Sequence, residues 1–228
     1  MMKLIKYGII YLLMSGYLMA IGGVGLLGNM GSPMEPYTEN EGDLNLSSSS
    51  NGSPIGGGIF IYFDALPADL SLEYSFEMGS EDIAVSLKYP PLEQEYNEDL
   101  FSLKQSHYLT IKKDIFELSI PLLAKASLYT GAGYNQHNTI APSINLITQL
   151  MDDVDPNQLI EAIESNSLEY TSSDILDYVK KENGVHLQIG LRAKVLTFNM
   201  FINARHTFGE IQQSKGFTDL SVRFAFGI

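Results

Sequence analysis

The stretch "LSVRFAFGI" at 220–228 alternates without a break: Leu220, Val222, Phe224, Phe226 and Ile228 fall on one side, Ser221, Arg223, Ala225 and Gly227 on the other. Successive side chains of an extended chain point to opposite faces, so this spacing makes a strand with one apolar face. The pattern recurs along the chain. Leu70, Leu72, Tyr74, Phe76 and Met78 oppose Ser71, Glu73, Ser75 and Glu77, and Val185, Leu187, Ile189 and Leu191 oppose His186, Gln188, Gly190 and Arg192. Phe198, Met200, Ile202 and Ala204 oppose Asn199, Phe201, Asn203 and Arg205. Glycine-rich versions occupy 20–30 and 55–65, small and aromatic residues fill 124–136, and "SHYLTIKKDIF" is a rougher case. Eight segments result, each about ten residues long, the span of a tilted membrane strand.

One stretch breaks phase. Ile83, Val85, Leu87 and Tyr89 are odd-numbered, whereas the apolar set at 70–78 is even-numbered. Either Gly79–Ser80 is a turn, or a bulge there shifts the alternation by one residue. With a bulge, the links near 66–69, 118–122 and 196 are short and fall at one end. The long segments 31–54, 90–100, 137–183 and 209–216 then fall at the other. That segregation favours the bulge, and it is the connectivity of an outer-membrane barrel.

Charge and composition narrow the partners. A formal charge of −13 excludes nucleic acid, which needs clustered Lys and Arg. The absence of Cys removes any disulfide framework or thiol nucleophile. Residues 1–20 carry Lys3 and Lys6, an apolar run and small residues near Ala20, the layout of a secretory signal peptide. The competing reading is a transmembrane anchor, since residues 7–28 carry no charge, but the run turns Gly-dense at "IGGVGLLGNMG". The mature chain is then expected to be 21–228.

The long 137–183 segment reads as a helical insertion. Ile144, Ile147, Met151 and Val154 follow helical spacing, and Asp155–Pro156 makes a helix start. Ser172 or Ser173 begins a further helix ending at Lys180 and Lys181. Residues 136–183 hold nine acidic and two basic side chains, an acidic cap.

Alternating strands suit two solvents. A soluble sandwich turns its apolar face inward, and a membrane barrel turns it outward. The polar face here mixes Gly, Ser, Asn and Gln with Glu73, Glu77, Arg192, Arg205 and Arg223, a set able to fill a narrow lumen with ion pairs. Counting along strand direction sets Glu73 near Arg192 and Glu77 near Arg223.

With its N-terminal leader, the strand "PLLAKASLYTGAGYNQ" (121–136) and the alternating last strand, the chain resembles small eight-stranded outer-membrane β-barrels of the OmpA-like and OmpW-like kind. Members of that group usually end on an aromatic residue, whereas here Gly227 and Ile228 follow Phe226. The resemblance implies an all-β, eight-stranded antiparallel transmembrane barrel with a partly helical extracellular insertion, located in the outer membrane of a diderm bacterium. It implies membrane lipid and lipopolysaccharide as surroundings and the barrel-assembly machinery as a partner in biogenesis. The expected function is structural or surface-binding, or a narrow conduit for small solutes. The rival expectation is a periplasmic or secreted soluble β-protein binding an apolar ligand inside.

The chemistry-bearing motifs point away from catalysis. "IGGVGLLG" is followed by no phosphate-binding helix start. His107, His137, His186 and His206 are scattered, with no pair at metal-ligand spacing. "ARHTFGE" is faintly similar to the His-x-Ser segment of outer-membrane lipid A deacylases, but Phe208 stands where the nucleophilic Ser belongs. Glu73 and Glu77 lie about 13 Å apart on a strand, which suits structural pairing better than acid–base work. Asp152, Asp153 and Asp155 lack the Gly and terminal Glu of an EF-hand loop. No catalytic residue, metal site or cofactor is expected; the residues singled out form the lumen charge network.

Overall fold

The computed structural model describes residues 22–33, 35–41, 44–89, 94–120, 123–140, 179–211 and 214–227. The expected signal peptide, and the helices expected within 141–178, lie outside these residues. Ten strands follow in order: β1 (Gly22–Gly31), β2 (Tyr37–Glu41), β3 (Leu44–Ser50), β4 (Ile55–Leu66), β5 (Leu70–Tyr89), β6 (Gln94–Ile120), β7 (Ala124–Ile140), β8 (Lys180–Val195), β9 (Phe198–Ile211) and β10 (Ser214–Gly227). The only helical turn among the described residues is the 3-10 turn Pro67–Asp69.

Eight of the strands close a ring. Each of β4 to β9 pairs antiparallel with the next, and β1 joins β10 to β4, so the ring itself is closed. The remaining hairpin, β2–β3, stands off the ring and adds to the upper part of β5, where Ser50 opposes Ile83 and Asn45 opposes Lys88. The strands are strongly staggered. A path of direct partners from Gly31, at the top of β1, runs through Asp219, Arg205, Gln188, Gly131 and Lys112 to Ser71, near the bottom of β5. This stagger is the shear that tilts strands in a closed barrel.

Short connections collect at one end as expected: 67–69, 121–123 and 196–197. Two other expectations change. The β5–β6 register runs from Leu70–Lys113 to Tyr89–Gln94 without a shift, so there is no bulge at Gly79–Ser80. The irregularity in that part of the sheet lies at Ile115, the extra residue of β6 between Asp114 and Phe116, and it accounts for the roughness of "SHYLTIKKDIF". Finally, Lys180 and Lys181 pair with Thr139 and Asn138 as the start of β8 rather than ending a helix, so any insertion is shorter than 137–183 at both ends.

The alternation decides the two surfaces of the ring. Val24, Leu26, Ile59, Ile61, Leu187, Ile189, Leu191, Ile202, Val222 and Phe224 are exposed on the outside. The residues between them turn inward, and many are polar: Asn199, Asn203, Thr207, Ser221 and Arg223 are buried.

Candidate functional site: the lumen charge cluster

The inward side chains fill the lumen in layers. Towards the short-turn end, Arg192 donates from Nη2 to Asp64 Oδ2 at 2.7 Å and from Nε to Asn199 Oδ1 at 3.0 Å. Phe60, Tyr62, Tyr129 and Phe201 pack above it, with Phe201 edge-on to the other three at centroid distances of 5.6 to 6.3 Å. Glycines on neighbouring strands make room for these rings. A Cβ on Gly25 would lie 2.6 Å from the Phe60 ring, and one on Gly190 would lie 2.5 Å from the Tyr129 hydroxyl. Gly23 and Gly25 of β1 and Gly190 of β8 are therefore matched to aromatic neighbours across the sheet.

Two ionic layers follow. In the first, Glu73 Oε2 accepts from Lys112 Nζ at 2.7 Å and Oε1 from Arg223 Nη1 at 2.5 Å. In the second, Arg205 grips Glu77 with Nη1 and Nη2 at 2.9 and 2.7 Å. Its Nε and Nη2 also donate to Asp219 at 2.9 and 3.0 Å. The guanidinium carbon stands 3.3 Å from the centroid of the Tyr108 ring. Asn29 and Ser75 donate to the remaining lone pairs of Glu77. Three carboxylates (Glu73, Glu77, Asp219) thus face three cations (Lys112, Arg205, Arg223). Arg223 is 0% and Arg205 1% exposed. Charges this deeply withdrawn from water persist because they are paired and saturated with hydrogen bonds.

All five residues expected in the lumen are there, but their partners differ from the expectation. Glu73 holds Arg223 rather than Arg192, Glu77 holds Arg205, and Glu77 to Arg223 is a longer contact of 3.9 Å. Arg192 belongs to the lower layer with Asp64. Stagger is the physical reason: residues at equal depth are displaced along each successive strand, and counting from strand ends ignores that displacement. Asp219, Lys112 and Asp64 were missed. Asp219 continues the inward row of Ser221 and Arg223, and Lys112 falls in phase with Tyr108 and Thr110, ahead of the bulge at Ile115.

Two histidines complete the upper lumen. His186 Nε2 shares a hydrogen bond with Thr110 Oγ1 at 2.8 Å, and His137 Nδ1 shares one with Ser106 Oγ at 2.8 Å. Both rings stand edge-on to Tyr108. His107 and His206 face outward instead, bonded to Tyr74 and Thr218. Above the Arg205 layer lies a cavity of about 80 Å³, lined in part by Tyr108, Asp219, Phe217 and Lys104. Lys104 Nζ sits 3.3 Å from the Phe217 ring centroid. Chemically this is a packed ionic core: every oxygen of Glu73 and Glu77 is engaged.

No family model and no curated protein sequence matches this chain. Among solved structures, it is similar to the N-terminal β-barrel domain of Pseudomonas aeruginosa OprF, at 12% identity and a TM-score of 0.36, covering 90% of this chain and 97% of that one. It is also similar to Ail, the attachment invasion locus protein of Yersinia pestis, at 8% identity. One Ail structure, a complex with the heparin analogue sucrose octasulfate, gives a TM-score of 0.36 with 91% and 95% of the two chains covered. Another gives 0.37, with 91% and 97% covered.

Proposed function

We propose that this chain is an outer-membrane β-barrel protein with a structural or surface-binding role and no catalytic one. The observation that carries this reading is the inversion of the ring: its outer wall is apolar and its interior holds the ion pairs. A water-soluble barrel that takes an apolar ligand needs the reverse arrangement, which disfavours the rival. Lipid is the solvent that suits such a wall, and closure satisfies every ring strand's backbone without water.

A conduit is the weaker half of the reading. The aromatic layer of Phe60, Tyr62, Tyr129 and Phe201 and the two ionic layers lie across the lumen. The short turns define the periplasmic end, which puts the β2–β3 hairpin and the tops of β5 and β6 outside the cell. That end displays Asp82 and Asp99. Lipopolysaccharide and an extracellular ligand are the partners this reading supplies there, with the barrel-assembly machinery acting earlier; it requires no cofactor.

Mild SDS gels test the proposal. Full-length mature protein refolded in detergent should migrate differently before and after boiling, and should lose solubility when detergent is withdrawn. A chain that stays monomeric and folded without detergent would overturn the membrane reading. Planar-bilayer recordings should show no steady conductance; sustained channel currents would restore the conduit.

A further inference from the structure

The three short turns of the barrel are not alike. The β4–β5 turn is Pro67–Ala68–Asp69. The β6–β7 and β8–β9 turns are apolar, and they are tied to each other: Leu196 N donates to Leu123 O at 2.9 Å. Around that bond, Leu118, Ile120, Leu123, Val195 and Leu196 are all more than half exposed. Turns that meet water are normally built from Gly, Asn, Asp and Ser. Leu196 is the sharpest departure. Its φ is +56°, a left-handed conformation that favours Gly or Asn, yet it carries a branched apolar side chain that is 61% exposed.

We infer that these two linked turns form an apolar foot inserted among the phospholipids of the inner leaflet, so that the lipid contact of the barrel reaches deeper on the β6–β9 side than at the β4–β5 turn. This rests on the membrane reading above. The occupant follows from continuity. Leu187, Ile189 and Leu191 lead through Ala193 to Val195, and on β6 Ile111 leads to Ile115, Phe116 and Leu118 with Lys113 the one charged side chain in that outward row, so the foot prolongs the lipid-facing wall. Charge agrees. Lys113 stands beside the foot with no ion pair among the described residues, and a long cationic side chain at such a border reaches lipid phosphates while its stem stays apolar. At the β4–β5 turn, Ala68 has a similar φ of +63°, but the flanking Leu66 and Leu70 are only part-exposed.

The chain has no Cys, so single-cysteine labelling is clean. Full-length mature protein carrying Leu196→Cys, Leu118→Cys, Ala68→Cys or Leu187→Cys, each with an environment-sensitive fluorophore, is reconstituted in phosphatidylcholine–phosphatidylglycerol vesicles with brominated acyl chains. Labels at 196 and 118 are expected to be quenched by the lipid as strongly as the label at 187, while the label at 68 answers to an aqueous quencher. Labels at 196 and 118 that behave like the one at 68, with 187 still quenched, overturn the foot alone. An unquenched label at 187 removes the membrane reading and the foot with it. The 118 position decides the matter should Leu196→Cys fail to assemble.

Discussion

β5 passes through two environments without changing its geometry. In the ring, its odd-numbered residues face the lumen, and Glu73 is 2% exposed among cations. Ten residues further, in the four-stranded region made with β2, β3 and β6, the same face carries Ile83 at 0% exposure, beside Leu46 of β3 and Val85. The opposite face changes in the other sense, from Tyr74 and Met78 on the barrel wall to Asp82 and Lys88. A strand keeps its pleat, and the surroundings dictate which side is apolar. On the membrane reading proposed above, the hydrophobic pattern must swap faces where lipid gives way to water, and in sequence that swap imitates a bulge.

The largest effect should come from the ring interior. Arg205→Ala strands Glu77 and Asp219 in a site closed to water, and is expected to cost about 3–5 kcal/mol in urea unfolding from detergent or lipid. Adding Glu77→Gln should recover part of that loss, because one of the two stranded charges is then gone. Strictly additive effects in this cycle would mean that the bidentate contact carries no coupling. On the wall, Leu187→Arg and Phe224→Arg place a cation where lipid is expected, at about 2–4 kcal/mol each. If Asp82→Arg, on the same outward side of β5 but above the barrel, costs as much, the boundary between the two environments is misplaced.

These contrasts also show what was legible in the sequence. The alternation of Val185–Leu191 and Leu220–Phe226 specifies both strands and both faces, because a period of two has only one structural meaning over that length. The five lumen charges were legible by phase alone. Their partners were not, since pairing depends on the stagger of the closed sheet, which no single strand encodes. Arg192 falls a layer below Glu73 for that reason. The β2–β3 hairpin was hidden for another: "YTENE" and "LNLSSSS" have too little apolar periodicity to distinguish them from loop, and β3 gains its place by adding to β5.

A smaller effect is expected in the upper region. Ile83→Val removes one methylene from a fully buried position, for about 0.5–1.5 kcal/mol. β3 is held by β2 and the upper part of β5 and does not belong to the ring, so the loss should be local. Hydrogen exchange should speed up in β3 and in 83–88, with protection in β8 and β9 unchanged. Equal loss in both places would show that the two regions unfold as one unit.

The smallest effect should follow the largest change. The β7–β8 ladder continues to Thr139–Lys180, so the two strand ends already lie side by side when they reach Ile140 and Val179. A short Gly-Ser turn in place of 141–178 has little distance to span, and shortening a connection lowers its closure entropy. Ring closure, the aromatic layer and both ionic layers are each made by described residues outside 141–178. The shortened protein is therefore expected to refold into a heat-modifiable barrel whose unfolding midpoint matches that of the full chain, while any surface binding is lost. A shortened chain that cannot assemble would tie the segment to the ring itself, and the division between a self-sufficient barrel and a separate outer region would no longer hold.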